Sequence, residues 1–394
     1  MSELNYLEKL LDGTEVEWKA LGDVTSVLRG KRLTKNLLSA EEKFPVFHGG
    51  LEPLGYYNKS NRPANTVMII NVGASAGTVG YSTVDFWSSD GCFCLEHNEL
   101  LNNRFLYFAL IGYQSLLKSK VRVAGIPTLD AIVVNKLLIP IPCPSNPEKS
   151  LAIQSEIVRI LDKFTALTAE LTAELNMRKK QYNHYRDLLL SFKEGEVEWK
   201  ALEEVSDIYD SLHQTPQYSK NGLSMIRVTD IKNGYIDLKN TLKVNDGIFS
   251  IFTKKYLPQK NDLVMSRVGS YGNVGIIPTD NSACMGQNTV VIHPHINNRY
   301  LFYILTSSIG QDFIEKNVGG GSQKTLSLKS IKSIPIPLTG ESEQSKIVSI
   351  LDKFDTLTTS ISEGLPREIE LRQKQYEYYR DLLFSFPRPE TASN

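Results

Sequence analysis

Lysines and arginines that cluster without neighbouring acids are the residues of this chain best suited to bind a polyanion. The segment "RGKRLTK" contains Lys31, Arg32 and Lys35, and "KSKVR" (118–122) holds three cations at strand spacing. Such clusters neutralise phosphates even though lysines plus arginines equal aspartates plus glutamates, at 44 each, over the whole chain. A solvated surface is the alternative interpretation of any single run.

Two patterns suggest other chemistry, and neither is complete. The stretch "VGASAG" (72–77) is rich in glycine, but its counterpart "VGSYGNVG" (268–275) has no GxGxxG leading into a helix. The chain also lacks the GxxxxGK[ST] loop that would bind a nucleotide phosphate, and it has no Asn-Pro-Pro-aromatic stretch. We interpret both glycine-rich stretches as tight turns or as a close backbone approach to phosphate.

The chain contains cysteines and histidines that could bind a metal, but they do not have the spacing of a zinc site. Cys92, Cys94 and His97 are close in sequence, and His293 and His295 flank a proline, yet no second ligand pair follows at zinc-site spacing. Buried thiols and surface histidines are the preferred interpretation, and no metal is expected. His48 either donates to a base or lines a turn.

Bulk composition places these residues in a folded chain of several domains. At 394 residues, two or three domains are expected. No apolar run approaches the roughly 20 residues that span a bilayer, and the amino terminus lacks the pattern of a signal peptide, so we expect a cytoplasmic protein without membrane contact. Four irregularly spaced cysteines fit a reducing compartment.

The elements that must position the basic clusters occur twice. "EVEWKAL" occurs at 15–21 and 196–202, and "IPIP" at 139–142 and 334–337. "QSEIVRILDKF" (154–164) matches "QSKIVSILDKF" (344–354), and "RKKQYNHYRDLLLSF" (178–192) matches "RQKQYEYYRDLLFSF" (372–386). Each half is therefore a variable body followed by a well-matched helical tail.

The bodies and the tails predict an α+β fold. Short β-branched and aromatic runs such as "NTVMIINV" alternate with glycine and asparagine turns, which indicates strands. Apolar residues at three- and four-residue steps make each tail a long helix, and two such helices can pair as an antiparallel coiled coil with approximate twofold symmetry. Because "LEKLLDGTEVEWKAL" aligns with "LLLSFKEGEVEWKAL", the sequence is nearly circular.

These doubled motifs, taken from Glu15 to Phe386, resemble the specificity (S) subunit of bacterial type I restriction-modification enzymes. The resemblance implies two target recognition domains that each read one half of a bipartite double-stranded DNA sequence, and helices that hold them apart. It implies no catalysis by this chain. The implied partners are two modification (M) subunits and restriction (R) subunits, which would carry the S-adenosylmethionine, ATP and Mg. The implied division is an N-terminal helical segment (1–14), a first recognition domain (15–150), a central helix (151–195), a second recognition domain (196–340), a distal helix (341–386) and a tail (387–394).

Candidate DNA-binding residues are polar or cationic and lie in turn-rich segments of the two bodies. In the first body they are Lys31, Arg32, Lys35, Tyr56, Asn58 and Lys59. In the second body they are Arg227, Asp230, Lys232, Asn233, Arg267, Ser270, Tyr271, Gln323 and Lys324.

The helical tails carry two further candidate sets. Matching "YRDLL" ends predict either partner docking or helix packing with solvated arginines, through Tyr185, Arg186, Tyr379 and Arg380. The near-repeat "TALTAELTAEL" (165–175) predicts an adjustable spacer with Thr168, Leu171, Thr172 and Leu175 on its repeated steps. A coiled-coil adaptor that does not bind DNA and a nucleotide-using enzyme remain the alternatives to a DNA-specificity subunit.

Overall fold

Two similar sets of strands and helices follow one another along the chain, each ending in long helices, as the repeats predict. The computed structural model describes residues 4–193, 195–232, 234–321, 324–360 and 362–388. It divides into unit 1, residues 1–169 with 371–394, and unit 2, residues 170–370. Both boundaries fall inside helices, so packing divides the chain differently from the sequence-based separation of bodies and tails.

Unit 1 contains mostly short elements and one very long helix. Its helices are α1 (Leu4–Leu11), α2 (Leu21–Val24), α3 (Asn103–Gly112), α4 (Gln114–Ser119), α5 (Ala131–Asn135) and α6 (Pro147–Leu189), which continues into unit 2. Its strands are β1 (Val16–Ala20), β2 (Val27–Arg29), β3 (Phe44–Phe47), β4 (Gly55–Tyr57), β5 (Thr66–Ile70), β6 (Val79–Ser82), β7 (Trp87–Ser88), β8 (Cys92–Leu95) and β9 (Leu138–Pro142).

The strands of unit 1 form three small sheets around a core shared with the helices. The sheet orders are β1-β9, β2-β8-β5-β6 and β4-β3-β7. The strand β5, which is buried at every position as the run "NTVMIINV" suggests, lies inside the four-stranded sheet. Phe105 and Leu110 of α3 and Ile157 and Leu161 of α6 are almost fully buried in the same core. Burying each such side chain contributes about 1.5–3 kcal/mol.

Unit 2 repeats this composition with a larger sheet. Its strands are β10 (Glu198–Ala201), β11 (Ser206–Asp210), β12 (Leu223–Ile226), β13 (Ile231–Lys232), β14 (Gly234–Ile236), β15 (Leu242–Val244), β16 (Leu263–Ser266), β17 (Val274–Ile276), β18 (Ala283–Met285), β19 (Thr289–Pro294) and β20 (Pro335–Leu338). Its helices are α7 (Asp246–Phe252), α8 (Asn298–Thr306), α9 (Ser308–Asn317), α10 (Leu328–Lys332), α11 (Glu341–Thr359) and α12 (Gly364–Leu383), the last continuing into unit 1. The sheet orders are β10-β20, β11-β19-β16-β17-β14-β13 and β15-β12-β18.

The same repeated residues fasten the body of each unit to a long helix. In unit 1, Arg104 of α3 donates from Nε to Asp162 Oδ1 of α6 at 2.8 Å. In unit 2, Arg299 of α8 donates to Asp352 Oδ1 of α11, also at 2.8 Å. Each arginine also lies over aromatic rings of its own helix. The repeated "NR" and "LDKF" motifs therefore hold the body of each unit in place on its helix.

The two helical tails differ where the sequence predicts a break. The helix α6 is continuous for 43 residues. Its counterpart ends as α11 at Thr359 and resumes as α12 at Gly364, which has a left-handed φ of +76°. Pro366 lies in the first turn of α12, where a proline costs no helical hydrogen bond. Because Gly364 and Pro366 stand where the first tail has only helix formers, the sequence predicts a kink or break near these residues, and the structure confirms it.

The repeated "IPIP" strands pair with different registers in the two units. Trp18 of β1 lies opposite Pro140, whereas the equivalent Trp199 of β10 lies opposite Pro337, which aligns by sequence with Pro142. The second strand has therefore slipped by two residues relative to the first. Because side chains alternate with period two, this slip keeps the isoleucines on the core face.

Candidate nucleic-acid interface

The basic segment "RGKRLTK" is held against the end of β8 by its backbone. Gly30 N donates to Cys92 O at 3.1 Å, and Lys31 N donates to Ser88 O at 2.9 Å. A Cβ at Gly30 would lie 2.1 Å from Ser89 O, so only glycine permits this approach. The side chains of Lys31, Arg32 and Lys35 are exposed, and within the described part of the chain none has a carboxylate at ion-pair distance.

Trp87 joins this segment to the other candidate set of unit 1. Its Nε1 donates to Lys31 O at 2.8 Å, and its ring meets Tyr57 edge-on with centroids 5.3 Å apart. Beside Tyr57 lie Tyr56, Asn58 and Lys59, all exposed. The structure thus brings together two segments that the sequence offered separately. Trp87 was missed, although a tryptophan in the polar run "DFWSSD" is a usable signal.

Further loops of unit 1 meet at the same place. His48 Nδ1 lies 3.3 Å from Asp90 Oδ1, and Arg29 Nε donates to Asp90 O at 3.1 Å. Asn71 N donates to Gly91 O, and residue 72 bridges to residue 128. We call this surface corner 1; it comprises residues 29–32, 48–50, 71–73, 88–91 and 127–128. His48 lines a turn here beside an acid.

Arg267 anchors the corresponding surface in unit 2. Its Nη1 lies 2.8 and 2.9 Å from the two carboxylate oxygens of Asp210, and its Nε donates to Leu326 O at 3.0 Å. Only 13% of its side chain is exposed. Arg267 therefore holds loops together in this conformation instead of projecting into solvent.

Three other candidates of unit 2 lie beside Arg267. Ser270 is exposed, Tyr271 OH donates to Glu315 Oε2 at 2.7 Å, and Lys324 Nζ lies 3.1 Å from Glu315 Oε1. The hydrogen bond from Tyr271, followed by that from Lys324, holds the pKa of Glu315 below its ordinary value. Gln323, the neighbouring candidate, lies outside the described residues.

Arg227 and Asp230 form one structural pair. Arg227 donates to Asp230 from Nη2 at 3.0 Å, from Nε at 3.1 Å and from its backbone N at 2.9 Å. These hydrogen bonds raise the pKa of Arg227. Asp230 is only 4% exposed, so its carboxylate orients Arg227 and does not itself face solvent. Lys232 is exposed, and Asn233 lies outside the described residues.

The turn at 286–288 connects Arg227 to Arg267. Gly286 N donates to Ile226 O, and Arg267 N donates to Asn288 O, both at 2.8 Å. We call this surface corner 2; it comprises residues 210–213, 226–227, 267–271, 286–288 and the described residues of 319–325. It occupies the same ends of equivalent strands as corner 1.

The tyrosines of the helical tails pack reciprocally. Tyr379 of α12 stacks on Phe164 of α6 with centroids 5.2 Å apart, and Tyr185 of α6 stacks on Phe354 of α11 at 5.5 Å. Arg186 and Arg380 are 13% and 16% exposed and lie over tyrosine rings of their own helices. Each tyrosine thus contacts a neighbouring long helix, and the arginines are shielded, in contrast to the solvated arginines expected if the helices only pack.

The spacer residues lie in the middle of α6, where the chain passes from unit 1 to unit 2. Leu171 and Leu175 are half-buried, one helical step apart. Thr168 Oγ1 donates to Phe164 O at 2.9 Å. The segment is thus regular helix, which is what stepwise changes in length require.

The patterns that suggested other chemistry have structural explanations. The glycine-rich loop at 72–77 joins β5 to the antiparallel β6, and not to a helix. All four cysteines are buried and unpaired, and burial raises the pKa of Cys284 to about 12. Among the residues described, no histidine, cysteine or carboxylate cluster could hold a metal ion. Within the same ranges, no helix is both long and apolar enough to cross a membrane.

Solved structures share the fold of this chain. The S subunit of a type I restriction-modification system from M. genitalium superposes with a TM-score of 0.59 over 96% of this chain and 98% of that chain, at 18% identity. A chain from a structural study of complex assembly and conformational transition in the type I restriction-modification system superposes with a TM-score of 0.52, covering 94% of this chain and 97% of that chain at 17% identity. The fold is that of type I specificity subunits.

Sequence comparisons establish the family. The family model for the type I restriction modification DNA specificity domain matches residues 14–178 and again 194–371. The Escherichia coli EcoR124I/EcoR124II specificity subunit is 41% identical, with 100% of each chain aligned, and the E. coli EcoprrI subunit is 33% identical over 92% of this chain and 93% of that one. The chain belongs to the type I restriction-modification specificity subunit family, which confirms the resemblance drawn from the repeats.

Proposed function

We propose that this chain is a non-catalytic subunit that reads a bipartite double-stranded DNA target, with one half-site read by each unit. The observation that carries this proposal is the repetition of the corner: each unit folds distant loops onto the same end of its sheets. Corner 1 has exposed cations at its edge that have no ion-pair partner among the described residues, and corner 2 has Arg227 and Lys324. Such surfaces suit a duplex, in which phosphates set the register and base edges carry the sequence.

The candidate residues take different roles in this proposal. Lys31, Arg32 and Lys35 contact phosphates, because they are exposed and have long flexible stems. Arg227 reads a base, because Asp230 holds its guanidinium in one orientation and a guanidinium suits a bidentate contact with guanine. Asp230 and Arg267 position neighbouring groups.

The helices serve as a scaffold in the same proposal. Paired antiparallel, with approximate twofold symmetry, they would dock two modification subunits, and restriction subunits would join that assembly. S-adenosylmethionine, ATP and Mg would reside on those partners and not on this chain. The exposed Tyr185, beside the shielded Arg186, supports a docking face at the end of α6.

Salt-dependent DNA binding tests the proposal. The chain assembled with its modification subunit should bind DNA with an affinity that falls steeply with salt, because each neutralised phosphate releases counterions. Replacing Lys31, Arg32 or Lys35 by alanine should weaken binding to all sequences and reduce the log–log salt slope by about 1 per residue. Lys346→Ala is the matched control, since that lysine lies on a helix and pairs with Glu343.

The rival adaptor function makes the opposite prediction. A coiled-coil adaptor would bind its protein partner normally and show no salt-dependent affinity for DNA. Unchanged DNA affinity over a fourfold rise in salt would refute the phosphate role of the three cations.

A further inference from the structure

The loop at 122–128 in unit 1 has an exposed apolar tip that the proposed function leaves unexplained. Val123 is 80% exposed and Ile126 71%, the highest values among the large hydrophobic side chains described. Exposing two neighbouring β-branched side chains forgoes the free energy of burying them, which suggests that a ligand covers them.

The tip is held in one conformation by its own loop. Arg122 and Thr128 exchange backbone hydrogen bonds of 2.9 and 3.0 Å, which closes the loop as a short ribbon. Thr128 Oγ1 donates to Ile126 O at 2.9 Å, and the side chain of Arg122 pairs with Asp130 at 3.0 Å. Gly125 supplies a left-handed turn with φ +84°. A tip fixed in this way loses little conformational entropy on binding.

The tip adjoins corner 1, which contains the last two residues of its loop. Gly73 N donates to Pro127 O at 2.9 Å, and residue 72 bridges to Thr128. Lys118 and Lys120, which precede the loop in sequence, are exposed and have no carboxylate at ion-pair distance among the described residues. Exposed cations close in sequence to an apolar tip suit a duplex, which offers both phosphates and base edges.

The equivalent loop of unit 2 shares the framework but not the tip. Gly319 and Thr325 exchange the same pair of backbone hydrogen bonds, and residue 268 bridges to Thr325 as residue 72 does to Thr128. Its described tip residues are Gly320, Gly321 and Lys324, and none of them carries a large apolar side chain. The framework is therefore common to both units, and the apolar tip is particular to the unit that would read one half-site.

We propose that Val123 and Ile126 determine part of the sequence specificity of unit 1 by packing against the C5-methyl group of thymine in the major groove. A two-stranded ribbon fits the major groove, and the methyl group is the apolar feature that a base pair presents there. This inference rests on the proposed DNA-reading function and assigns the base class that one loop recognises.

Thymine-to-uracil replacement tests the inference, because it removes only the methyl group. The recognised sequence is first mapped by methylation with the full chain and its modification subunit, and each thymine of the unit 1 half-site is then replaced singly. At one or two positions the affinity should fall roughly fourfold, which corresponds to the free energy of burying one methyl-sized group. In the Ile126→Ala or Val123→Ala variant, the same replacement should have no effect.

Val84→Ala is the matched control. Val84 is also an exposed valine of unit 1, at 53%, but it follows β6 at the end of the sheet opposite corner 1. This variant should retain the full effect of uracil.

Three other results would each overturn the inference. The first is an equal uracil effect in the parent and both tip variants, and the second is a unit 1 half-site without thymine on either strand. The third is a loss of modification-subunit binding in the tip variants with base discrimination unchanged, which would make the tip a protein contact. A parent complex without any DNA affinity would instead refute the proposed function itself.

Discussion

At the residue scale, the pair Arg227–Asp230 should contribute both to the stability of unit 2 and to its recognition of DNA sequence. Asp230→Asn should lower the free energy of unfolding of unit 2 by about 1–3 kcal/mol, because it leaves the guanidinium less well paired beside a buried amide. It should also weaken specific DNA binding, since Arg227 is no longer held. Glu343→Gln, at an exposed helix pair, should change stability by less than about 1 kcal/mol. Thermal unfolding and binding to the mapped target measure both effects.

The variant Arg227→Lys separates charge from geometry. It keeps the positive charge but not the planar fork. Binding to random DNA and its salt slope should therefore match the parent, while discrimination at one base falls. Equal discrimination by the lysine variant would remove Arg227 from base reading.

Individual contacts of the corners were the part of the site that the sequence predicted least well. Lys31 and Trp87 are 56 positions apart, and Arg267 and Asp210 are 57 positions apart. Periodicity reports only on neighbours within one helix or strand, so it cannot pair such residues. The sequence shows that Arg267 and Asp230 are polar and lie near turns. It does not show that they are shielded from solvent or that they pair with Asp210 and Arg227.

At the element scale, the long helices were predictable because their apolar residues recur at three- and four-residue steps over many turns. The break between α11 and α12 was predictable for a different reason: glycine and proline stood where the other copy has helix formers. The two-residue slip of β20 was not predictable from the sequence. A shift of "IPIP" by two residues presents the same pattern of side chains to the core, so the sequence favours neither register.

Gly364 should be the least replaceable residue of that break. A Cβ there would lie 2.4 Å from Thr356 O and 2.8 Å from Leu357 O, in addition to the left-handed backbone. Gly195→Ala is the matched control, since Gly195 has φ +84° but no atom within 4 Å of an added Cβ. The control should lower the free energy of unfolding by about 1–2 kcal/mol. Gly364→Ala should lower it by clearly more, as measured by urea unfolding. Equal costs would show that the carbonyls move aside.

At the scale of the whole molecule, the two bodies should be exchangeable. Replacing residues 25–142 by the corresponding body of a relative should change one half of the methylated sequence and leave the other intact, because each corner is built within one unit. The exchanged body must keep two contacts with α6. One is an arginine that pairs with Asp162, as Arg104 does. The other is a backbone N–H that donates to Gln154 Oε1, as Asn102 N does at 2.8 Å. A change in both half-sites would contradict modular reading.

The spacer should set the distance between the half-sites. Deleting Thr172 to Leu175 shortens α6 by about 6 Å and turns the remainder of the helix by about 40°, while one base pair of B-DNA advances about 3.4 Å and turns about 34–36°. We expect both half-sites to be kept and the unread spacer to shorten by one base pair, because a reading face must stay turned toward its groove.

The deletion is also designed to preserve the helix. Glu174 pairs with Arg178 at 2.6 Å, and after the deletion Glu170 takes its place four residues before the arginine. Removing only Ala173 to Leu175 is the control: a three-residue step turns the apolar stripe by about 300° and should impair assembly. Methylation mapping that gave the parental spacer for the four-residue deletion would disprove the spacer role.

The two-residue slip at "IPIP" bears on how such genes can exchange parts. If two genes recombine within this shared stretch one Ile-Pro step out of alignment, the hybrid protein gains or loses two residues there. Its isoleucines still face the core because the pattern repeats every two residues, and the surface loop after the strand absorbs the difference at little entropic cost. A crossover there would therefore yield a folded protein in either alignment. The stretch is therefore a junction at which one body could replace another without loss of the fold.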